Sequence, residues 1–271
     1  MACDTFEKMV TPAVRGTENI LQSAHAYGGP QLASVVITSS VSAVHNANLP
    51  SDRDYTFDES DFAPADLDLL KSNDAAKIPN SIFQLYIASK VTSEAFAWSF
   101  RTTRKPNFSI STIQPGNVIG PPVQPPKTAA KLNETLKPVW GIFSGSISEL
   151  SPVSPSSSYV DVRDVALMHL WACENGEKAD GERFIAVAGA GPTQAIVDIL
   201  REPYPDRLKD MPEGVPGVGY TGWKDGKVGE VGWVSGRIRI SGQKAQTVMG
   251  LEWIPIKKSV TDTAKVLEMY L

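Results

Sequence analysis

Ser34-Val35-Val36-Ile37-Thr38-Ser39-Ser40 decides the fold class, because four β-branched residues follow one another without alternation and two serines close the run. A strand with one wet face alternates polar and apolar positions, whereas a strand covered on both faces reads as a continuous run. The stretch therefore predicts a buried parallel strand with Ser39 and Ser40 at its carboxyl end. Upstream, Phe6, Met9, Val10, Ala13, Ile20, Leu21 and Ala24 recur at helical spacing. Residues 4–26 thus predict an amphipathic helix, kinked or delayed by Pro12 and ended by Gly28-Gly29.

Downstream, residues 46–80 are rich in Asp, Pro, Asn and Ser and predict a long irregular loop with at most a short helix at 67–70. Loops of that length are usually functional. A second helix is predicted from Ser81 to about Phe100, then a strand at 108–113. The many Pro, Ser and Gly of 115–158, including Gly120-Pro121-Pro122 and Ser154-Pro155-Ser156-Ser157-Ser158, predict a loop-dominated region outside the main sheet. A helix at 161–174, a strand at 183–188, a helix at 193–201 with Thr193 as N-cap, and a terminal helix at 260–271 complete the pattern. Helices alternating with strands in this order predict an α/β fold with a parallel sheet.

Bulk properties exclude several function classes. The chain has 271 residues, long enough for a substantial core, and a net charge of -4. Without a clustered excess of Lys and Arg, neither a nucleic-acid surface nor an anionic-membrane surface is expected. Cys3 and Cys173 are too few for a disulfide framework and lack zinc-site spacing, which fits a reducing interior. The first ten residues contain no uninterrupted apolar segment for a signal peptide, and no run approaches the ~20 apolar residues that span a bilayer. The expectation is a soluble, cytoplasmic protein.

For chemistry, Tyr86 and Lys90 stand four residues apart in the second predicted helix and so share one face, with Cβ atoms about 5–6 Å apart. An ammonium beside a phenol favours the phenolate, and a phenol so placed can give or take a proton at a carbonyl. Spacing alone is weak evidence. Tyr220 and Lys224 have the same spacing, but they lie between glycines in a segment without helical pattern. Context selects the first pair: the serines end a buried strand, where α/β folds bind ligands. The strand at 108–113 ends likewise in Pro115-Gly116-Asn117-Val118-Ile119-Gly120-Pro121, read as a rigid turn suited to a flat ring.

The combination resembles the extended short-chain dehydrogenases/reductases, within them the dihydroflavonol reductase and cinnamoyl-CoA reductase group and its fungal ketone and aldehyde reductase relatives. The matching stretches are Pro12-Ala13-Val14-Arg15-Gly16-Thr17-Glu18-Asn19-Ile20-Leu21, Val35-Val36-Ile37-Thr38-Ser39-Ser40, Tyr86-Ile87-Ala88-Ser89-Lys90, Pro115 to Pro121, and Tyr159-Val160-Asp161-Val162-Arg163-Asp164-Val165-Ala166. The resemblance implies a Rossmann-type parallel sheet lacking its first strands. Residues 1–120 would be a truncated dinucleotide-binding domain with the catalytic residues, and 121–271 mostly a substrate-binding region, with 159–190 partly returning to the main sheet. It also implies NADP-dependent reduction of a ketone or aldehyde on a small organic molecule, in specialised metabolism. Ser40, with Ser39 as second choice, would hydrogen-bond the substrate carbonyl; Tyr86 would protonate its oxygen; Lys90 would tune the tyrosine and bind the nicotinamide ribose. Thr38, Ser39, Pro115, Gly116, Asn117 and Val118 would complete the cofactor contacts.

In that family a glycine-rich turn after the first strand cradles the pyrophosphate at a helix N-terminus. The helix at 4–26 matches the one just before the serine strand. By the resemblance, the turn and on the order of 60 residues in two βαβ units fall before it, together with whatever distinguishes NADP from NAD. Gly217-Val218-Gly219-Tyr220-Thr221-Gly222 imitates the turn literally, but no strand precedes it and no helix follows, so it reads as a surface loop. Gly189-Ala190-Gly191 joins a predicted strand to a helix but has Gln194 where the third glycine is needed. His25, His45 and His169 are scattered and suggest no metal site. Asp161 and Asp164, flanking Arg163, read as a helix start with local ion pairing, Trp98 as a core residue and Trp140 as a pocket candidate. Two functions remain open: the reductase, with a homodimer as its expected assembly, and a non-catalytic reductase-like binding or regulatory module.

Overall fold

The computed structural model describes residues 4–46, 49–50, 52–72, 81–150 and 157–271. Cys3 and the parts of the expected loops at 73–80 and 151–156 lie outside the described residues. The chain divides into two compact units: Met1–Leu49, Asp58–Gln114 and Met168–Ile185 form one, and Pro50–Phe57, Pro115–Leu167 and Ala186–Leu271 the other.

Helix α1 runs from Phe6 to Tyr27, with the Thr5 hydroxyl capping it by accepting from the Lys8 amide. Pro12 lies inside α1 without delaying its start. Gly28 closes the helix, and Gly29 takes the left-handed conformation (φ +65°) that turns the chain toward the sheet. Strand β1 (Ser34–Thr38) and a 3₁₀ turn (Val41–Ala43) follow. The expected loop after them contains a short strand, β2 (Tyr55–Phe57), and a one-turn helix, α2 (Leu67–Lys71), capped by Asp66. Next come α3 (Ser81–Arg104) and β3 (Ser109–Pro115).

The expected Pro115–Pro121 turn is instead a bend at Gly116 and a strand, β4 (Asn117–Ile119). The proline-rich segment beyond it also holds a helix, α4 (Lys137–Ser144). Pro138 lies at its first turn, where a missing amide costs nothing, and Gly145 (φ +78°) ends it. The remaining elements are β5 (Ser158–Asp161), α5 (Val162–Glu174), α6 (Gly176–Ala179), β6 (Arg183–Ala186), β7 (Gly189–Ala190) and α7 (Thr193–Arg201). Pro192 rather than Thr193 is the N-cap of α7. A hairpin of β8 (Thr221–Lys224) and β9 (Lys227–Gly232) then leads to β10 (Ile238–Ile240), α8 (Gln243–Met249) and α9 (Ile256–Leu267).

In the first unit the sheet order is β1-β3-β6, with β1 parallel to β3 from Ser34 opposite Ser109 to Thr38 opposite Ile113. β1 is half-buried, not fully buried as its sequence predicts, because among the described residues only β3 pairs with it. Leu21, Ala97, Phe100, Phe108 and Ile110 form one core cluster, against which Val35 and Ile37 pack; Val10, Leu70, Leu85 and Ala88 form another. Each large side chain in these clusters contributes roughly 1.5–3 kcal/mol on burial. α1 and α3 lie against each other, fixing the helix that carries Tyr86 and Lys90. In the second unit, β4 pairs parallel with β5, β5 antiparallel with β7, and β2 parallel with β10. Ile142, Phe143, Ile199, Leu200, Val260 and Leu267 belong to its main core.

Candidate active site

β1 delivers Thr38, Ser39 and Ser40 to the carboxyl end of its sheet, and each hydroxyl goes to a different place. The Thr38 hydroxyl is 2.8 Å from His169 Nε2. The Ser39 hydroxyl donates inward to the Glu94 carboxylate. The Ser40 hydroxyl accepts from the Ser42 amide at 3.1 Å and so caps the 3₁₀ turn. A hydroxyl has one proton and two lone pairs, so Ser40 still has its proton to donate. Between the two serine candidates, Ser40 is therefore the one with a donor to offer a ligand.

On α3, Tyr86 and Lys90 share a face, and the Lys90 ammonium lies 5.8 Å from the Tyr86 ring centroid. Lys90 reaches β1, with Nζ 3.4 Å from the Thr38 carbonyl oxygen. Tyr86 is 36% exposed, stacks on Phe83, and its hydroxyl has no protein partner among the described residues. Ser89 donates back to the Tyr86 carbonyl at 2.7 Å. A cleft of about 160 Å³ in the same unit is lined by Ala13 and Thr17 of α1, Thr38 and Ser39, and Ser89, Lys90, Ser93 and Glu94 of α3. The arrangement can hold a polar ligand with the Lys90 ammonium while presenting a phenol to it.

The remaining predicted residues lie in the second unit. The Gly116 amide donates to the Ala186 carbonyl at 3.0 Å, and a Cβ there would stand 2.6 Å from the Ser158 hydroxyl, so a side chain at this position would displace that hydroxyl. Asn117 donates its amide to the Ser158 carbonyl at 3.0 Å; Pro115 is buried and Val118 half-buried. Asp161 forms a double hydrogen bond with Arg163, which also pairs with Asp262 at 2.9 Å. Burial raises the Asp161 carboxyl, but the Arg163 guanidinium outweighs it and the net shift is below the ordinary carboxylate range. Asp164 instead accepts from the Ile254 amide, and burial raises its carboxyl. The Asp161, Arg163 and Asp164 cluster is thus a structural clamp.

Neither imitation of a phosphate-binding turn has the geometry of one. A Cβ on Gly191 would meet Tyr159 at 2.8 Å, so that glycine serves close packing on β5. Gly222 (φ +101°) belongs to β8, and a Cβ there would overlap the Glu230 carbonyl oxygen of the facing strand. Trp98 is half-buried, its indole donating to Glu94, while Trp140 packs edge-on against Tyr270 as part of the second unit's core surface.

Sequence reasoning missed Glu94 and Arg183, a buried ion pair with Arg183 Nε 2.6 Å from Glu94 Oε1. A charge two turns beyond Tyr86 reads as a solvated helix position. The available signal was that Glu94 follows Tyr86 and Lys90 at successive intervals of four and so continues their face.

A parallel sheet with hydroxyls at its carboxyl edge and a Tyr-Lys pair on the adjoining helix defines an α/β protein of the Rossmann type. More particularly, the chain belongs to the NAD dependent epimerase/dehydratase family, whose model matches residues 5–188. It is 30% identical over 260 residues to the putative NADPH-dependent methylglyoxal reductase GRP2 of Candida albicans, covering 96% of this chain and 70% of the relative. Cinnamoyl-CoA reductase CAD2 of Medicago truncatula is 31% identical over 270 residues, covering 98% and 69%. Among solved structures, yeast methylglyoxal/isovaleraldehyde reductase Gre2 complexed with NADPH superposes with a TM-score of 0.83 at 26% identity, over 99% of this chain and 74% of that one. The family resemblance and the α/β fold read from the motifs are both borne out.

The residues present suit the ribose end of a nicotinamide cofactor. An ammonium has three protons to donate, and Lys90 directs one at a long distance to the Thr38 carbonyl and pairs with no carboxylate among the described residues. It is therefore equipped to hold a diol. No helix among the described residues is long and apolar enough to cross a membrane.

Proposed function

We propose that this chain is an NADPH-dependent reductase of small ketones or aldehydes, with Tyr86 as proton donor, Ser40 as carbonyl-binding donor and Lys90 as the residue that holds the nicotinamide ribose. The observation that carries this reading is Lys90 reaching from α3 to the Thr38 carbonyl beside Tyr86, whose hydroxyl has no partner among the described residues. The reductases among the relatives support the reaction class.

Each residue acts through chemistry its surroundings permit. Ser40, with one lone pair occupied by the Ser42 amide, donates its proton to the carbonyl oxygen of the substrate and polarises the C=O bond. When bound, the reduced nicotinamide supplies the hydride that reaches the carbonyl carbon. Tyr86 delivers the phenolic proton to the oxygen as charge develops there, leaving a phenolate that Lys90 stabilises from across one helical turn. Thr38 sets the lysine through its carbonyl, and its hydroxyl is set by His169. Pro115, Gly116, Asn117 and Val118 are carried as proposed cofactor contacts on the family resemblance. A cytoplasmic location belongs to the same reading, in keeping with a chain whose two cysteines are too few for a disulfide framework.

The test is NADPH oxidation by the purified chain with a panel of small aldehydes and ketones, together with equilibrium binding of NADPH. Micromolar binding with turnover is expected. Absence of both at millimolar NADPH would overturn the assignment.

A further inference from the structure

Glu94 gathers four donors in the interior of the first unit. Its Oε1 accepts from Arg183 Nε at 2.6 Å, Gln114 Nε2 at 3.2 Å and Trp98 Nε1 at 3.3 Å, while Oε2 accepts from the Ser39 hydroxyl. Arg183 in turn donates to the Glu59 and Asp61 carbonyls, both at 2.6 Å, and to the Ala43 carbonyl at 3.4 Å, with its guanidinium 4.0 Å from the Phe62 ring centroid. One carboxylate thus joins α3, the end of β1 and β6, and through Arg183 it also grips the far end of the 3₁₀ turn that Ser40 begins.

The geometry is what a catalytic constellation needs and does not supply for itself. Ser40 sits on a loop and Tyr86 and Lys90 on a helix, so their mutual placement depends on whatever ties loop to helix. Glu94 does so from the helix, one turn past Lys90, and its tether is the residue next to Ser40. Resting on the function proposed above, we propose that Glu94, held by Arg183, is a positioning residue. Through the Ser39 hydroxyl and the Ala43 carbonyl it sets the Ser40 loop against the helix face of Tyr86 and Lys90. The role extends beyond ordinary core support because both of its arms close on the same five residues, 39–43.

Removing either member of a buried ion pair leaves an uncompensated charge and threatens the fold, so the probe is Ser39→Ala, which deletes only the tether. Amide exchange at residues 42–45 should rise several-fold, while β3 exchanges as in wild type. Turnover should fall roughly tenfold through kcat, with KM for the carbonyl substrate little changed, since a misplaced group loses rate more than binding. In a Ser40→Ala background, Ser39→Ala should lower kcat no further, because the tether acts through the hydroxyl already removed. Unchanged exchange, unchanged kcat, or an undiminished second loss in that background would each overturn the proposal. Tyr86→Phe run alongside keeps the two readings apart: retained turnover there sinks the proton-donor assignment, while the exchange measurement judges the tether by itself.

Discussion

Tyr86 and Lys90 have the same separation as Tyr220 and Lys224, yet the two pairs have nothing else in common. On α3, four residues make one turn, so both side chains emerge together and the lysine reaches over the tyrosine ring. In the second pair, Tyr220 precedes β8 and Lys224 ends it, so the spacing carries no facing relation. Tyr220 is buried, and its hydroxyl donates to Asp198 at 2.6 Å. Asp198 also accepts from Gln194 and from the Gly217 amide, which pins the glycine-rich segment to α7. A Tyr-x-x-x-Lys spacing therefore has chemical meaning only once its local element is known. One phenol is presented to solvent and the other is consumed by structure.

The largest effects should separate the pairs by activity. Tyr86→Phe should lower kcat by about 10²–10⁴, the range that general acid catalysis contributes. The same change at Tyr220 should leave the kcat of the folded enzyme close to wild type; comparable losses in both would erase the distinction drawn here. Next in size, Lys90→Met should weaken NADPH binding by roughly tenfold to a hundredfold, the worth of hydrogen bonds from a charged donor. Lys224→Met, at an exposed strand position, should leave binding unchanged and stability within about 0.5 kcal/mol. Isothermal titration with NADPH checks both lysines.

What the sequence made legible follows the same division. Continuous apolar runs and helical periodicity placed β1, α3, β3 and α7 near their observed bounds, because each is specified by its own residues. The short strand at Tyr55–Phe57 was hidden because its partner, Ile238–Ile240, lies far along the chain and three residues carry too little pattern. Helix α4 was hidden by Pro138, which reads as a breaker until the helix start is known. At the site, Tyr86, Lys90 and Ser40 could be named from residue type and order. The resemblance ranked Ser40 above Ser39, but the physical reason lay outside residue type and order, because it depends on which hydroxyl Glu94 takes. The Glu94–Arg183 pair was equally out of reach, since its members come from separate stretches and each is ordinary in isolation.

A smaller effect tests the structural half of the comparison. Tyr220→Phe removes a buried donor and leaves Asp198 Oδ2 with the Gly217 amide alone, so it should cost about 1–3 kcal/mol in urea unfolding. Tyr86→Phe, whose hydroxyl has no partner among the described residues, should unfold with an unchanged midpoint. If Tyr86→Phe were the less stable of the two, the phenol would have an interior role and its assignment as a presented acid would fail.

The smallest expected effect is a pH dependence, and its sign follows from the surroundings of Tyr220. Burial first, then the Asp198 hydrogen bond and charge, hold the phenol well above its ordinary value of about 10. Below pH ~10 the group is neutral in folded and unfolded chains alike, so its full contribution to stability is present. Above that, the unfolded chain releases the proton while the folded chain keeps it, and the contribution declines by at most about 1.4 kcal/mol per pH unit. Tyr220→Phe has no proton to release there, whereas the other tyrosines titrate identically in both proteins. The stability difference between wild type and Tyr220→Phe should therefore be constant up to pH ~10 and narrow above it. Urea unfolding of the two proteins in parallel across this range measures the difference directly. A gap that stayed constant above pH ~10 would mean that folding leaves the phenol as free to ionise as it is in the unfolded chain. Tyr220 would then lose the buried Asp198 partnership that sets it apart from Tyr86.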